Sequence, residues 1–316
     1  MTTHSTRVLF RPESSALRFL PEGPHPCGPD QFSWVAIQHG AAAKSGSLNV
    51  FDLAAGRNVS YELPGRPGFA FATNRPHTFV VGLERHVRLF DTSSGEWTDV
   101  CGPVDTAVEG TIINDALVID EGLIFGCKDV TFTEKKAGLY LWRRSDRRLL
   151  QLRADQICSN GKALLRDGGR TVLLDIDSPT KTVVAYDLDV AAGRLGEPRI
   201  VVDLRGGDVF PDGMILTPDG RSVIVALYNP NDVPTGESRQ FSLATGQLEA
   251  TWTTDRSPRV TCPQLLAHAG RIQLVLTTAV EQMPAEQQAK YTNAGCLFIA
   301  ETNFSTLPDQ PVFVCP

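Results

Sequence analysis

The sequence predicts an all-β fold, a six-bladed β-propeller whose central channel holds a divalent metal, and three observations carry the architecture. The first is the stretch from Phe210 to Ala226, where Pro211-Asp212-Gly213 opens an apolar run, Pro218-Asp219-Gly220-Arg221 turns the chain, and a β-branched run follows. That reads as strand, hairpin, strand. The second is Asn160 to Asp175, which repeats the plan: polar residue, Gly161, apolar run, Asp167-Gly168 turn, apolar run. The third is spacing. Glu22-Gly23-Pro24, Arg66-Pro67-Gly68-Phe69, Asn114-Asp115-Ala116 and Cys262-Pro263-Gln264 open similar runs, so anchors recur roughly every 44 to 52 residues, near the length of a four-stranded blade. Six anchors make six blades.

Taken in order, residues 1–16 read as a lead-in strand or tail, and blade one begins near Leu17. Gln31 to Ile37 and Gly46 to Leu53 supply its next strands, their small and large apolar residues alternating as stacked sheets require. Third strands recur at Val87-Arg88-Leu89-Phe90, Leu139-Tyr140-Leu141-Trp142, Val183 to Asp189 and Ser238 to Gly246, and most run into an Asp- or Ser/Thr-Gly turn. Fourth strands are weakly patterned, as solvent-facing edges are. The last blade runs from about Val260 through Arg271–Thr278 to Gly295–Ala300, with a short helix or ordered loop over Glu281–Tyr291. No linker or low-complexity tract divides the chain, so one domain over 1–316 is expected, with blades at roughly 17–300 and tails at both ends.

Thirty Lys and Arg against 36 Asp and Glu give a net charge of −6, which offers nucleic acid no basic footprint. The N-terminus lacks the apolar core of a signal peptide, and no segment approaches the roughly 20 apolar residues of a membrane span. A cytoplasmic protein without membrane or nucleic-acid partners is expected. Seven cysteines without a Cys-x-x-Cys pair read as reduced, buried thiols. Oligomeric state is left open.

First strands line a propeller's channel, so the polar residues that open blades one, three, four and five, Glu22, Asn114, Asn160 and Asp212, converge on one axis. Two carboxylates and two amides suit a hard divalent ion such as calcium, magnesium or manganese, with zinc or iron also open. Each Asn-Gly or Asp-Gly pair alone is an ordinary turn dipeptide; their common phase in the repeat is what points to a site. His25, near Glu22, is a candidate extra ligand or a structural histidine. No Gly-x-Ser-x-Gly elbow, phosphate loop or dinucleotide fingerprint occurs.

Pro21-Glu22-Gly23-Pro24, Asn114-Asp115, Ser159-Asn160-Gly161 with Asp177-Ser178, Pro211-Asp212-Gly213-Met214, Leu227-Tyr228-Asn229, Val260-Thr261-Cys262-Pro263 and Ala294-Gly295-Cys296-Leu297-Phe298 stand in the order of a known pattern. As a set, spread over residues 17 to 300, they resemble the senescence marker protein/gluconolactonase/luciferin-regenerating-enzyme-like (regucalcin-like) family. The resemblance implies a divalent cation held by Glu22, Asn160 and Asp212, with Asn114 beside it for substrate or water. It also implies lactone hydrolysis, mostly of sugar lactones, with organophosphate-ester cleavage in relatives. The chemistry that follows is Lewis-acid activation of the carbonyl, with Asp212 taking the proton of the attacking water and Glu22 a pure ligand.

The chain departs from that family where an Arg commonly stands two residues before the Asn-Asp pair: here the position is Ile112. An apolar wall there favours a less hydroxylated lactone or ester, because a hydroxyl-rich one leaves polar groups unpaired. Lys128 or Lys162 could restore the missing cation, and Lys128, Ile112 and Asn114 are the expected substrate contacts. Ala116, where the family has Gly, reshapes the channel mouth. The competing readings are a non-catalytic divalent-cation-binding regulator and an organophosphate-ester hydrolase, with a propeller serving only as a protein-interaction platform behind them.

Overall fold

Sheets that are apolar on both faces have to be covered on both, and stacking them around an axis does this without leaving broad edges. The computed structural model describes residues 2–316 and contains six sheets, one per anchor. Blade one runs outward through Pro21–Gly28, Gln31–Ala36, Gly46–Asp52 and Arg57–Leu63. The innermost and outermost strands of the next four blades are Pro67–Ala72 and Trp97–Cys101, Thr111–Ile119 and Arg148–Gln156, Ser159–Asp167 and Arg199–Asp203, then Phe210–Leu216 and Leu248–Asp255. Blade six is built from Val260–His268, Arg271–Thr278 and Leu297–Glu301. The third strands lie where their alternation placed them, and the helix in the last blade is Ala285–Lys290.

One apolar cluster sits between each neighbouring pair of blades. The ring is closed in the same way, since Leu266 and Ile299 of blade six pack with Phe32 and Trp34 of blade one. The N-terminal residues, read from sequence as a lead-in, complete that closure. Arg7–Phe10 is the outermost strand of blade six, antiparallel to Leu297–Glu301. Thr2–Ser5 adds a fifth strand to blade five, parallel to Leu248–Asp255, with the His4 ring stacked on Trp252. The Leu248–Asp255 edge is therefore paired, and Thr2–Ser5 becomes the outermost strand of that sheet.

Each innermost strand breaks register with its neighbour at the same height: between Glu22 and His25, Pro67 and Phe69, Ile113 and Ala116, Asn160 and Lys162, Pro211 and Met214, Val260 and Pro263. A bulge re-aims the side chains beside it. All six sequence anchors stand at these bulges: Glu22 and Asn160 flank theirs, while Gly68, Asn114, Asp212 and Cys262 lie inside.

Beyond blade six the chain crosses the far end of the channel. Pro308–Pro311 help line a cavity of about 420 Å³ there, together with the distal halves of the inner strands. The tail is then pinned to blades two and three: the Asn74 amide donates to Phe313 O at 3.0 Å, and the buried Phe313 ring meets Trp142 at 5.4 Å. Among the described residues no helix is long and apolar enough to cross a membrane.

Phe313→Ala deletes a fully buried ring, so stability in urea is expected to fall by about 3–5 kcal/mol. Val314→Ala, at a side chain 38% exposed, is expected to stay within about 0.5 kcal/mol of the parent.

Candidate metal and substrate site

The bulges deliver Glu22, Asn114, Asn160 and Asp212 to one cavity of about 430 Å³ at the near end of the channel, joined there by Lys128, Phe132, Phe210, Tyr228 and Glu281. All four anchors are buried. Glycine makes the crowding possible: a Cβ at Gly161 would stand 2.5 Å from Met214, and one at Gly68 2.4 Å from the Asn114 carbonyl. Only a residue without a side chain lets neighbouring inner strands come that close.

Two amides set the geometry between blades. Asn114 Nδ2 donates to Asn160 Oδ1 at 2.6 Å and to Ser159 O at 2.9 Å. Both neighbours are carbonyl oxygens, so the NH₂ group has to face them and Asn114 Oδ1 is left buried without a partner. Asn160 Nδ2 donates to Ser178 Oγ at 2.7 Å, and Ser178 Oγ donates to Pro211 O at 2.6 Å, which carries the tie to the strand that bears Asp212. Behind it Asp177 accepts the amides of Ile157 and Cys158.

The carboxylates are handled differently. Asp212 accepts no hydrogen bond from the described residues, and Glu22 accepts only the Gly23 amide at 3.2 Å. Burial pushes the Glu22 carboxyl well above its usual range, and repulsion from Asp212 and Asp115 adds to this against a pull from Lys128. Burial, then Asp115, pushes Asp212 up in the same direction. Two adjacent buried carboxylates, the oriented Oδ1 of Asn160 and the orphaned Oδ1 of Asn114 make an all-oxygen donor set that fits a hard divalent cation, whose charge equals that of the two carboxylates.

Lys128 and Lys162 have different fates. Lys162 faces the far cavity, where its buried ammonium donates to Ser159 Oγ and Asn160 O, both at 2.7 Å, and pairs with Asp175 at 3.1 Å. It is neither a rim residue nor a free cation. Lys128 lines the metal-side cavity. It is the cross-strand partner of Ile112, which is buried but does not line that cavity. The expected apolar wall at Ile112 is thus replaced by its neighbour on β-register, whose longer side chain reaches the cavity from the same face. His25 lines the far cavity against Phe71, 4.4 Å between ring centres, and stands apart from the metal-side residues.

Asp115 departs from Asn114 by one residue and by one cavity, lining the far side, where burial lifts its carboxyl to about 6 against Lys162 and Lys128. The Asn-Asp dipeptide signalled it; Phe132, Phe210 and Glu281 had no comparable sequence signal. The loop that presents Phe132 is tied down by Asp129, which takes the amides of Thr131, Thr133 and Glu134 and pairs with Lys136. Burial opposes ionisation of Asp129, but those hydrogen bonds outweigh it and hold the carboxyl well below its usual range. All seven cysteines are unpaired.

A profile of the SMP-30/gluconolactonase/LRE-like region matches residues 20–280. A Bacillus subtilis (strain 168) protein provisionally named sugar lactone lactonase YvrE is 30% identical over 197 residues, 61% of this chain and 63% of that protein. The chain therefore spans less than two thirds of that relative's length. Among solved structures, a calcium-binding protein, regucalcin, from Agrobacterium tumefaciens str. C58 superposes with a TM-score of 0.80 at 18% identity, covering 99% of both chains. A luciferin-regenerating enzyme gives 0.76 at 18% identity, covering 93% of this chain and 95% of its own. At such identities these structures speak for the fold, the six-bladed propeller.

Two outcomes follow from the site's electrostatics. Lys162→Met strands Asp175 without its cation and is expected to cost about 3–5 kcal/mol in chemical denaturation, while Lys162→Met with Asp175→Leu recovers much of it. His25 is held neutral by burial, its pKa lowered to about 4. A depressed histidine pKa means the unfolded chain binds the extra proton, so its contribution is complete above about 6.5 and is lost as pH falls from there toward 4. Because the ring is partly open to the far cavity, His25→Phe is expected to gain only about 1–2 kcal/mol on wild type between pH 7 and pH 4.5, measured as the difference between paired urea titrations.

Proposed function

The chain belongs to the SMP-30/gluconolactonase/LRE-like family, and from that membership we propose that it is a metal-dependent hydrolase that opens a lactone or a related small-molecule ester. The observation that carries the reading is the pair of buried carboxylates, Glu22 and Asp212, set beside two amide oxygens in a small-molecule-sized cavity with almost no protein donors spent on them. Glu22, Asn160 and Asp212 would hold one divalent cation, which could be calcium, magnesium, manganese, zinc or iron. When bound, such a cation supplies Lewis-acid polarisation to a carbonyl and charge stabilisation to a tetrahedral oxyanion.

The chain's own groups have separable tasks. Asn114, fixed through its NH₂ group, offers Oδ1 to hold water or a substrate hydroxyl. Asp212, free of other hydrogen bonds, accepts a proton from the attacking water and returns it to the departing ring oxygen. The water oxygen forms the new bond to the carbonyl carbon, the ring C–O bond breaks, and a hydroxy acid leaves. Lys128 supplies the cation that the family commonly places at the position of Ile112, and Phe132, Phe210 and Tyr228 give the cavity apolar walls. These walls favour a ligand with fewer hydroxyls than a sugar lactone. Seven unpaired thiols fit a reducing compartment, so the proposal places the activity in the cytoplasm.

The test is hydrolysis of sugar, aliphatic and aromatic lactones by metal-stripped protein reconstituted with each cation in turn. Turnover is expected only with metal, and Asp212→Ala is expected to lose at least about 100-fold in kcat together with cation binding measured by calorimetry. Tight cation binding by the wild type without turnover on any lactone or ester, organophosphate esters included, would overturn the hydrolase and leave a cation-binding protein.

A further inference from the structure

The proposed hydrolysis puts the Lys128 ammonium in the wall of the near cavity but names no group for it to bind. The residue is only 7% exposed, yet among the described residues Nζ makes no hydrogen bond and no ion pair; its nearest marked contact is the Phe132 ring, 5.7 Å from Nζ to the ring centre. It is held in place at both ends. Its backbone bridges to Cys158 of blade four, and Asp129 next to it anchors the loop that carries Phe132.

An ammonium that opens only into a confined cavity and has no protein partner is incompletely solvated, and a cation–π contact over one ring offsets part of that at most. None of the nearby carboxylates pairs with it, although its charge acts on Glu22, Asp212 and Asp115. Glu22 and Asp212 belong to the cation site, and Asp115 lines the far cavity and draws on Lys162 before Lys128. Glu281 lies on blade six, across the ring from Lys128 on blade three. What Lys128 lacks is an anion that arrives from solution and is small enough for a cavity of about 430 Å³.

We propose that Lys128 is an anion subsite and that the substrate is a lactone, or small ester, carrying a carboxylate next to the bond that is cleaved. This rests on the hydrolase reading and narrows its substrate class. A single ammonium with three donors matches one carboxylate through charge-assisted hydrogen bonds, while a phosphate dianion would keep a second charge and most of its oxygens without a partner from this one cation. The aromatic residues then cover the rest of a compact ring, and the product is a hydroxy dicarboxylate.

Matched γ-lactones bearing a carboxylate, a carboxamide or a phosphate ester at the same ring carbon test it on the metal-loaded protein. The carboxylate is expected to exceed the carboxamide in kcat/KM by about 10- to 100-fold, mostly through KM, and Lys128→Gln to bring that ratio near one. Lys128→Arg, which keeps the charge, is expected to retain a clear preference and guards against a folding defect in Lys128→Gln. Calorimetry with the corresponding γ-lactam carboxylate, which is not hydrolysed, reads the subsite alone: its affinity is expected to fall at least about tenfold in Lys128→Gln. Equal use of carboxylate and carboxamide by the wild type, a ratio undiminished in Lys128→Gln, or preference for the phosphate would each overturn the proposal. The two readings fail separately: lactam binding that depends on Lys128 without any turnover sinks the hydrolase and upholds the subsite, whereas turnover of neutral lactones alone does the reverse.

Discussion

A register break at one height in all six innermost strands is the constraint on which the rest of the molecule depends. A regular antiparallel ladder would alternate side chains strictly between the two faces of a blade, and both faces are consumed by packing against neighbouring blades. The bulge interrupts that alternation in every blade, so a residue at or beside it turns to the axis. In four blades that residue carries an oxygen donor: Glu22, Asn114, Asn160 and Asp212. The other two blades contribute Gly68, which lets the Asn114 backbone approach, and Thr261, whose hydroxyl is spent on Pro21 O at 2.7 Å. The donor set is therefore lopsided, and the cavity above it is walled by residues of blades one, three, four and five and by Glu281, with none from blade two.

Such a site would collapse if each donor were free to turn, and the buried hydrogen bonds show why it does not. Asn114 binds blade three to Asn160 of blade four, and Ser178 binds blade four to the Pro211 carbonyl of blade five. These are bonds between neighbouring blades, and Glu22 on blade one joins the other donors only when blade six meets blade one, where Thr261 Oγ1 donates to Pro21 O. Closure in turn rests on the apolar cluster between blades six and one and on the N-terminal strands, which lie about as far in sequence from their partners as the chain allows. Fold and site are thus one cooperative problem: a loss at the outer edge of blade six reaches the axis through the cluster beneath it.

How much of this can be read from sequence follows from the range of each interaction. The anchors were legible because each bulge carries its own local signature, a polar residue and glycine before an apolar run, and the repeat placed them in one phase. The strands at Thr2–Ser5 and Arg7–Phe10 read only as a lead-in, since nothing local says that their partners lie nearly 250 to 300 residues away. The two lysines separate for a similar reason. Lys162 follows Asn160-Gly161 and looks like a rim residue until Asp175 is brought opposite it by the next strand. Ile112 and Lys128 are 16 positions apart in the chain but directly paired across the ladder, so the position that lacks a cation stands beside the residue that carries one.

That last pairing has a chemical consequence beyond geometry. A guanidinium on the first strand presents a rigid, planar fork suited to several hydroxyls at once. An ammonium reaching in from the second strand is a compact point charge on a flexible stem, and here it is backed by an aromatic ring rather than by hydrogen-bond acceptors. The first arrangement reads a polyol; the second reads a single charge at a fixed distance from the metal ligands. Under the proposed hydrolysis the two designs can share Glu22, Asn160 and Asp212, because those residues would address the bond that is cleaved and the side-chain cation the remainder of the ligand. On that proposal selectivity would be set one strand away from the residues that act on the bond, at a wall whose shape the Asp129-anchored loop maintains.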